Sequence, residues 1–159
     1  MSLEADSPSR TLSVSAPAPA SLARLRRASL AVVVLLVAEY GIGMYVNLYV
    51  TVPTADHGHS VGSAISNGPV VLSAHAVVGL LLGLSALAVL VLSIIARRPS
   101  VIAVSVVGLL ALAVASLAGS SFTSSGGSAD SMAMSVMPGV GLLCYATNLY
   151  LLPSAGRRG

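Results

Sequence analysis

The chain has 159 residues, 55% of them hydrophobic and only 8% charged, with a mean hydropathy of +0.92. A water-soluble domain of this composition would carry large exposed apolar patches, so lipid is the expected solvent of the fold. The net charge of +3 does not point to nucleic acid, because all eight basic residues are Arg and they cluster beside apolar runs, with no base-stacking or phosphate-binding motif among them.

Residues 1–27 read as a disordered, basic cytoplasmic tail, because the stretch SPSRTLSVSAPAPAS has nothing periodic to bury and Arg24, Arg26 and Arg27 close it. The transmembrane domain is expected over 28–153. Its first span, about 29–50, carries one charge, Glu39, and is long enough at ~1.5 Å per residue to cross ~30 Å of hydrocarbon. A cleaved signal peptide is the competing reading of this segment, but its apolar core exceeds the ~7–15 residues of a signal core and no A-x-A site follows it.

The polar loop TVPTADHGHSVGSAISNGP contains Asp56, His57 and His59 and ends at Pro69, which can start a helix. The second span is expected at about 70–96. Arg97-Arg98-Pro99-Ser100 forms a tight turn, since Pro99 stops the helix and the arginines cannot remain in hydrocarbon. The third span, about 101–119, is followed by the loop SSFTSSGGSAD and a fourth span at about 132–152, with 154–159 as a short cytoplasmic tail.

The pattern predicts an all-α membrane fold, an up-down-up-down bundle of four transmembrane helices. Orientation follows from the arginines. Arg24, Arg26 and Arg27, the pair Arg97 and Arg98, and the pair Arg157 and Arg158 fall on one side only if there are four crossings, which places both termini in the cytoplasm (N-in, C-in). Tyr45, Tyr49 and Tyr150 sit where an aromatic belt is expected. Arg without Lys, beside abundant Ala, Val, Leu and Gly, is the usage of a bacterium with a GC-rich genome, so a bacterial plasma membrane is the expected location.

Small and polar residues recur at helical spacing on one stripe of each span. These are Glu39, Gly43 and Asn47; His75, Gly79 and Gly83; Ala111, Ala115 and Gly119; and Gly141, Tyr145 and Asn148. Such stripes let helices approach closely in lipid and are expected to face inward. Glu39, Asn47 and Asn148 are the intramembrane polar residues of interest. Glu39 lies near the middle of its span, where a charged side chain costs at least ~2.5 kcal/mol, so it must face the bundle. Gly79, Gly83 and Gly108 would leave room for its carboxyl, with Tyr145 or a serine as the expected hydrogen-bond partner.

His75 lies roughly 7–8 Å inside the start of its span by helical rise. Met44, Asn47, Met134 and Met137 fall at similar depth. Imidazole and thioether are neutral ligands for haem iron or copper, so His75 with Met137, Met134 or Met44 is a possible site for haem b or copper, and copper could also recruit His57 and His59 from the loop. A bis-histidine haem is excluded within the bilayer, because no second histidine is embedded there. Pro138 can open the start of the fourth span, while Cys144, the only cysteine, reads as packing.

No nucleophile elbow, Walker loop, HExxH motif or paired-carboxylate arrangement occurs, which argues against an independent hydrolytic or transferase activity. The segments GMYVNLYVTVP and LSAHAVVG, with AGSSF and the Met-containing fourth span, resemble small uncharacterised four-helix membrane proteins of bacteria. That resemblance implies no established activity. The leading expectation is a non-catalytic accessory or assembly subunit of a larger membrane complex, with lipid, other membrane subunits or a second copy as partners and no nucleic acid. A redox subunit using His75 and proton-coupled transport through Glu39 are the alternatives.

Overall fold

The computed structural model describes residues 19–50, 62, 66 and 68–152. The first part of the N-terminal tail, the loop bearing Asp56, His57 and His59, and the C-terminal tail with Arg157 and Arg158 lie outside the described residues. The described chain is helical: α1 (Pro19–Tyr49), α2 (Val70–Ile95), α3 (Pro99–Ser125) and α4 (Ser128–Leu151). All four are long and apolar enough to cross a membrane. Even the shortest, at 24 residues, rises about 36 Å against a hydrocarbon core of about 30 Å.

The helix ends differ from the sequence expectation in three places, each for a local reason. α1 is already helical at Pro19, so the arginines expected in a disordered tail lie on its first turns. Pro is tolerated there because a helix start leaves N–H groups unused, and Leu25 and Ser29 are fully buried on that segment. α3 runs past Gly119 to Ser125, with hydroxyls that bond back along the chain: Ser120 donates to the Ser116 carbonyl (3.0 Å) and Thr123 to the Ser120 carbonyl (2.8 Å). α4 starts at Ser128 rather than near Met132, because Gly126 and Gly127 make the whole connection. Gly126 adopts φ 65° and donates to the Phe122 carbonyl at 2.9 Å, a left-handed cap that glycine accepts without strain. Asp130 then sits in the first turn of α4, where a negative charge is favoured, and accepts a hydrogen bond from Ser121 at 2.9 Å.

The expected tight turn at Arg97 is present. Ala96 is helical, Arg97 takes φ 50°, Arg98 is extended, and Pro99 opens α3. Each helix packs on two others in a closed ring: α1 on α2, α2 on α3, α3 on α4 and α4 on α1, with the α3–α4 contact the most extensive.

The seam inside this ring advances in steps of four and three, the spacing that keeps one face of a helix turned toward its neighbours in a gently supercoiled bundle. In α1 it runs Leu25, Ser29, Val32, Leu36; in α2, Leu82, Ala86, Val89, Ser93, Ala96; in α3, Val101, Ser105, Gly108, Leu112; in α4, Gly141, Tyr145, Asn148, Leu152. All of these are buried. One half of the bundle therefore combines the first half of α1, the second of α2, the first of α3 and the second of α4 into a single apolar cluster.

Within it, one small polar residue from each helix is fully buried: Ser29, Ser93, Ser105 and Asn148. Asn148 Nδ2 donates to Ser105 Oγ across the α3–α4 interface at 2.9 Å. Ser29 and Ser93 donate to the carbonyls of Leu25 and Val89 one turn earlier. The Tyr145 ring lies across Gly108, where an added Cβ would stand 2.9 Å from Cε2. Glycine at 108 is thus what admits the largest buried side chain. Arg26 donates to the Leu149 and Leu152 carbonyls at 3.2 and 2.8 Å, satisfying groups that the end of α4 leaves without helical partners.

Candidate functional site

The same seam continues into the other half of the bundle, and there its residues change. Following the steps of four and three gives Glu39, Gly43, Val46 and Val50 on α1; Gly79, His75 and Leu72 on α2; Ala115, Gly119 and Phe122 on α3; and Pro138, Met134 and Ser131 on α4. Every one of them lines a single cavity of about 820 Å³. Beside Val46, Val50, Leu72, Phe122 and Met134, these positions hold Glu39, His75, Pro138 and the small residues Gly43, Gly79, Ala115, Gly119 and Ser131, and the cavity lies among them.

Glu39 and His75 meet on its wall. Glu39 Oε1 lies 3.0 Å from His75 Nδ1, with the Glu39 side chain 12% exposed and that of His75 34% exposed. The atoms are within ion-pair range but are not aligned as a linear hydrogen bond, and Glu39 Oε2 has no hydrogen-bond partner among the described residues.

Two glycines make this approach possible, and they do so reciprocally. A Cβ on Gly79 would stand 2.9 Å from Glu39 Oε1, and a Cβ on Gly43 would stand 3.2 Å from His75 Cε1. The acid of α1 therefore rests on the glycine one turn along from the imidazole of α2, and the imidazole rests on the glycine one turn along from the acid. Glu-x-x-x-Gly on one helix and His-x-x-x-Gly on the other form a matched pair of knobs and gaps. A polar partner within ion-pair range lowers the penalty of holding a carboxyl among apolar helices, and removing either member would strand the other.

The inward stripes are placed largely as expected, but the partner of Glu39 is not. Tyr145 occupies Gly108 in the packed half and leaves the carboxyl to His75. Gly83 has nothing within 4 Å of an added Cβ, so it lines the open volume without touching the acid. Asn47 lines the cavity, whereas Asn148 belongs to the buried Ser105 pair. Met44 and Met134 are on the wall, Met134 with its sulfur 3.3 Å from the place of a Gly119 Cβ, while Met137 is not a lining residue. Among the described residues, no group of three or more His, Cys, Asp and Glu is placed to hold a metal ion. His57 and His59 lie outside the described residues.

A signal for the Glu39–His75 pair exists in the sequence. If the end of α1 at Tyr49 is set level with Pro69, Gly43 comes level with His75 and Glu39 with Gly79. The two Cα atoms then differ in depth by one helical turn, about 6 Å, which the two side chains span. Matching residues of equal depth selects methionines instead. Comparisons with protein-family models, with curated proteins and with solved structures find no match.

The arrangement can hold one proton between a carboxylate and an imidazole. His75 Nδ1 faces the acid and Nε2 remains to exchange a proton elsewhere, the two-sided behaviour that makes histidine a proton carrier. Glu39 Oε2 remains an unused acceptor on the cavity wall.

Proposed function

We propose that this chain couples protonation of Glu39, shared with His75, to the occupancy of the intramembrane cavity, as a small proton-coupled transporter does. The single observation that carries the reading is the 3.0 Å approach of the carboxyl and the imidazole on the wall of a cavity lined by all four helices. An ionisable pair inside apolar spans is costly to keep, and proton relay is a leading use of one.

The pH-jump infrared difference spectrum of the reconstituted protein tests this. A carboxyl stretching band is expected that disappears in Glu39→Gln and shifts in His75→Gln. A spectrum unchanged by Glu39→Gln, in protein that still elutes as a folded species, would overturn it.

The reading includes an up-down-up-down course with both termini in the cytoplasm of a bacterial plasma membrane. Support comes from Arg26 at the end of α4 and from the Arg97–Arg98 turn, which leave the known arginines beside the packed half. Reporter fusions at the Arg97 turn and at the C-terminus should give the same side.

A second reading, an accessory or assembly subunit of a larger membrane complex, draws on the end of α1. Tyr45 and Tyr49 are exposed there, with ring centroids 5.2 Å apart, beside exposed Leu48. Crosslinking through position 48 in intact membranes should trap a partner subunit under that reading and only lipid otherwise. Haem or copper ligation at His75 has less support, since Nδ1 faces Glu39 and Met137 is off the wall; an absorption spectrum and metal analysis of the purified protein test it directly.

A further inference from the structure

We infer that the cavity takes a hydrophobic, singly charged organic cation, which Glu39 holds in exchange for the proton it shares with His75. The inference rests on the proton reading above for its exchange step and on the cavity wall for its ligand class.

The charge inventory of the wall sets the sign. Among the described lining residues, Glu39 is the only carboxyl, His75 the only basic group, and neither Arg nor Lys is present. An anion would find only the imidazole, which already faces the acid. A cation finds Glu39 Oε2, a buried acceptor with no hydrogen-bond partner among the described residues. In apolar surroundings such a group gains much more from a counter-charge than it would in water.

Size and surface set the class. About 820 Å³ is in the range of pockets that enclose drug-sized organic molecules and far larger than an inorganic ion requires. A bare metal ion would also need several anionic or imidazole ligands, and the described residues offer no cluster of three. Leu72, Leu112, Met44 and Met134 give the wall its apolar character, and Tyr40 and Phe122 supply aromatic faces suited to an ammonium or phosphonium group. Leu80, Leu84 and Leu87 of α2 both line the cavity and are exposed on the outer surface of the bundle. The cavity is therefore continuous with a face that lipid covers, a route open to a cation that partitions into the bilayer.

The exchange balances without further reactants. With one proton on the pair, the site is neutral overall. When a monovalent cation enters, the carboxylate becomes its counter-ion, the imidazole is left neutral, and one proton departs. Proton and cation thus compete for one negative charge, and no covalent step is involved.

Tetraphenylphosphonium and tetraphenylborate, nearly identical in size and opposite in charge, test the inference on the full chain in mild detergent. Saturable binding of the phosphonium is expected, with about one proton released per ion in weak buffer. Affinity should fall by up to about tenfold for each unit of decrease in pH while the proton outcompetes the cation. The borate should show no saturable binding. Glu39→Gln should weaken phosphonium binding at least about tenfold in protein whose helicity and elution are unchanged.

Gly83→Leu, whose added side chain starts in open volume with nothing within 4 Å of its Cβ, provides the second variant. It should weaken phosphonium binding and leave the infrared carboxyl band in place. Equal binding of the two ions, or phosphonium binding indifferent to Glu39→Gln, would overturn the inference. Absent phosphonium binding with the infrared band intact would overturn the cation site and leave the proton reading standing. Saturable phosphonium binding without that band would support the cation site and overturn the proton reading.

Discussion

The two halves of this bundle share one seam and one spacing, yet they behave as different materials. In the packed half the seam positions hold Leu25, Val32, Leu36, Val89, Tyr145 and their neighbours, all buried, together with four small polar residues that bond to a carbonyl one turn back or to each other. In the open half many of the same positions hold small or polar residues, among them Gly43, Gly79, His75, Ala115, Gly119 and Ser131, and the helices line an open-sided cavity of about 820 Å³. Helix–helix association in lipid depends on packing and interhelical hydrogen bonds, since the lipid tails are as apolar as the side chains. The packed half therefore holds the four helices together, and that leaves the open half free to keep a cavity and an acid–imidazole pair that would weaken the bundle by themselves.

The comparison can be broken most directly at Tyr145. Tyr145→Ala removes the largest buried side chain from the packed half and should lower stability by about 3–5 kcal/mol, read as unfolding of the detergent-solubilised protein. A loss as small as that of an open-half substitution would show that the division is not energetic.

Asn148→Ala removes the hydrogen bond to Ser105 and should cost about 1 kcal/mol in the same assay, because interhelical hydrogen bonds in membranes are modest. Its phosphonium affinity should match that of the unaltered protein, since the cavity wall does not include residue 148.

A glycine pair sharpens the contrast inside the open half. Gly83→Ala meets nothing within 4 Å and should be neutral or stabilising by up to about 1 kcal/mol through helix propensity. Gly79→Ala would put its methyl 2.9 Å from Glu39 Oε1 and should displace the carboxyl, shifting the infrared band. Equal outcomes for the two would contradict the reciprocal packing of acid and imidazole.

The smallest expected effect lies at the α2–α3 turn. Arg97 takes φ 50°, a conformation that costs an L-residue roughly 1 kcal/mol. Arg97→Gly should recover about half of that or more in the unfolding assay, and it should leave cation binding unchanged.

The sequence by itself determined that four apolar helices form and roughly where they turn. Length and hydropathy fix a transmembrane helix almost alone, because every backbone group must be bonded within its own segment in lipid. The inward character of Glu39, Gly79, Tyr145 and Asn148 was legible for the same reason, since polar and small residues have few tolerable positions on a lipid-facing helix.

Which of those residues touch was decided by tertiary structure. Contact depends on the register between helices that are far apart along the chain, and a shift of one turn exchanges Gly79 for His75 as the neighbour of a given residue on α1. Spacing along a single helix contains no information about that shift. The choice of His75 over Tyr145 as the partner of Glu39, the retreat of Tyr145 onto Gly108, and the volume left between the four helices all follow from it.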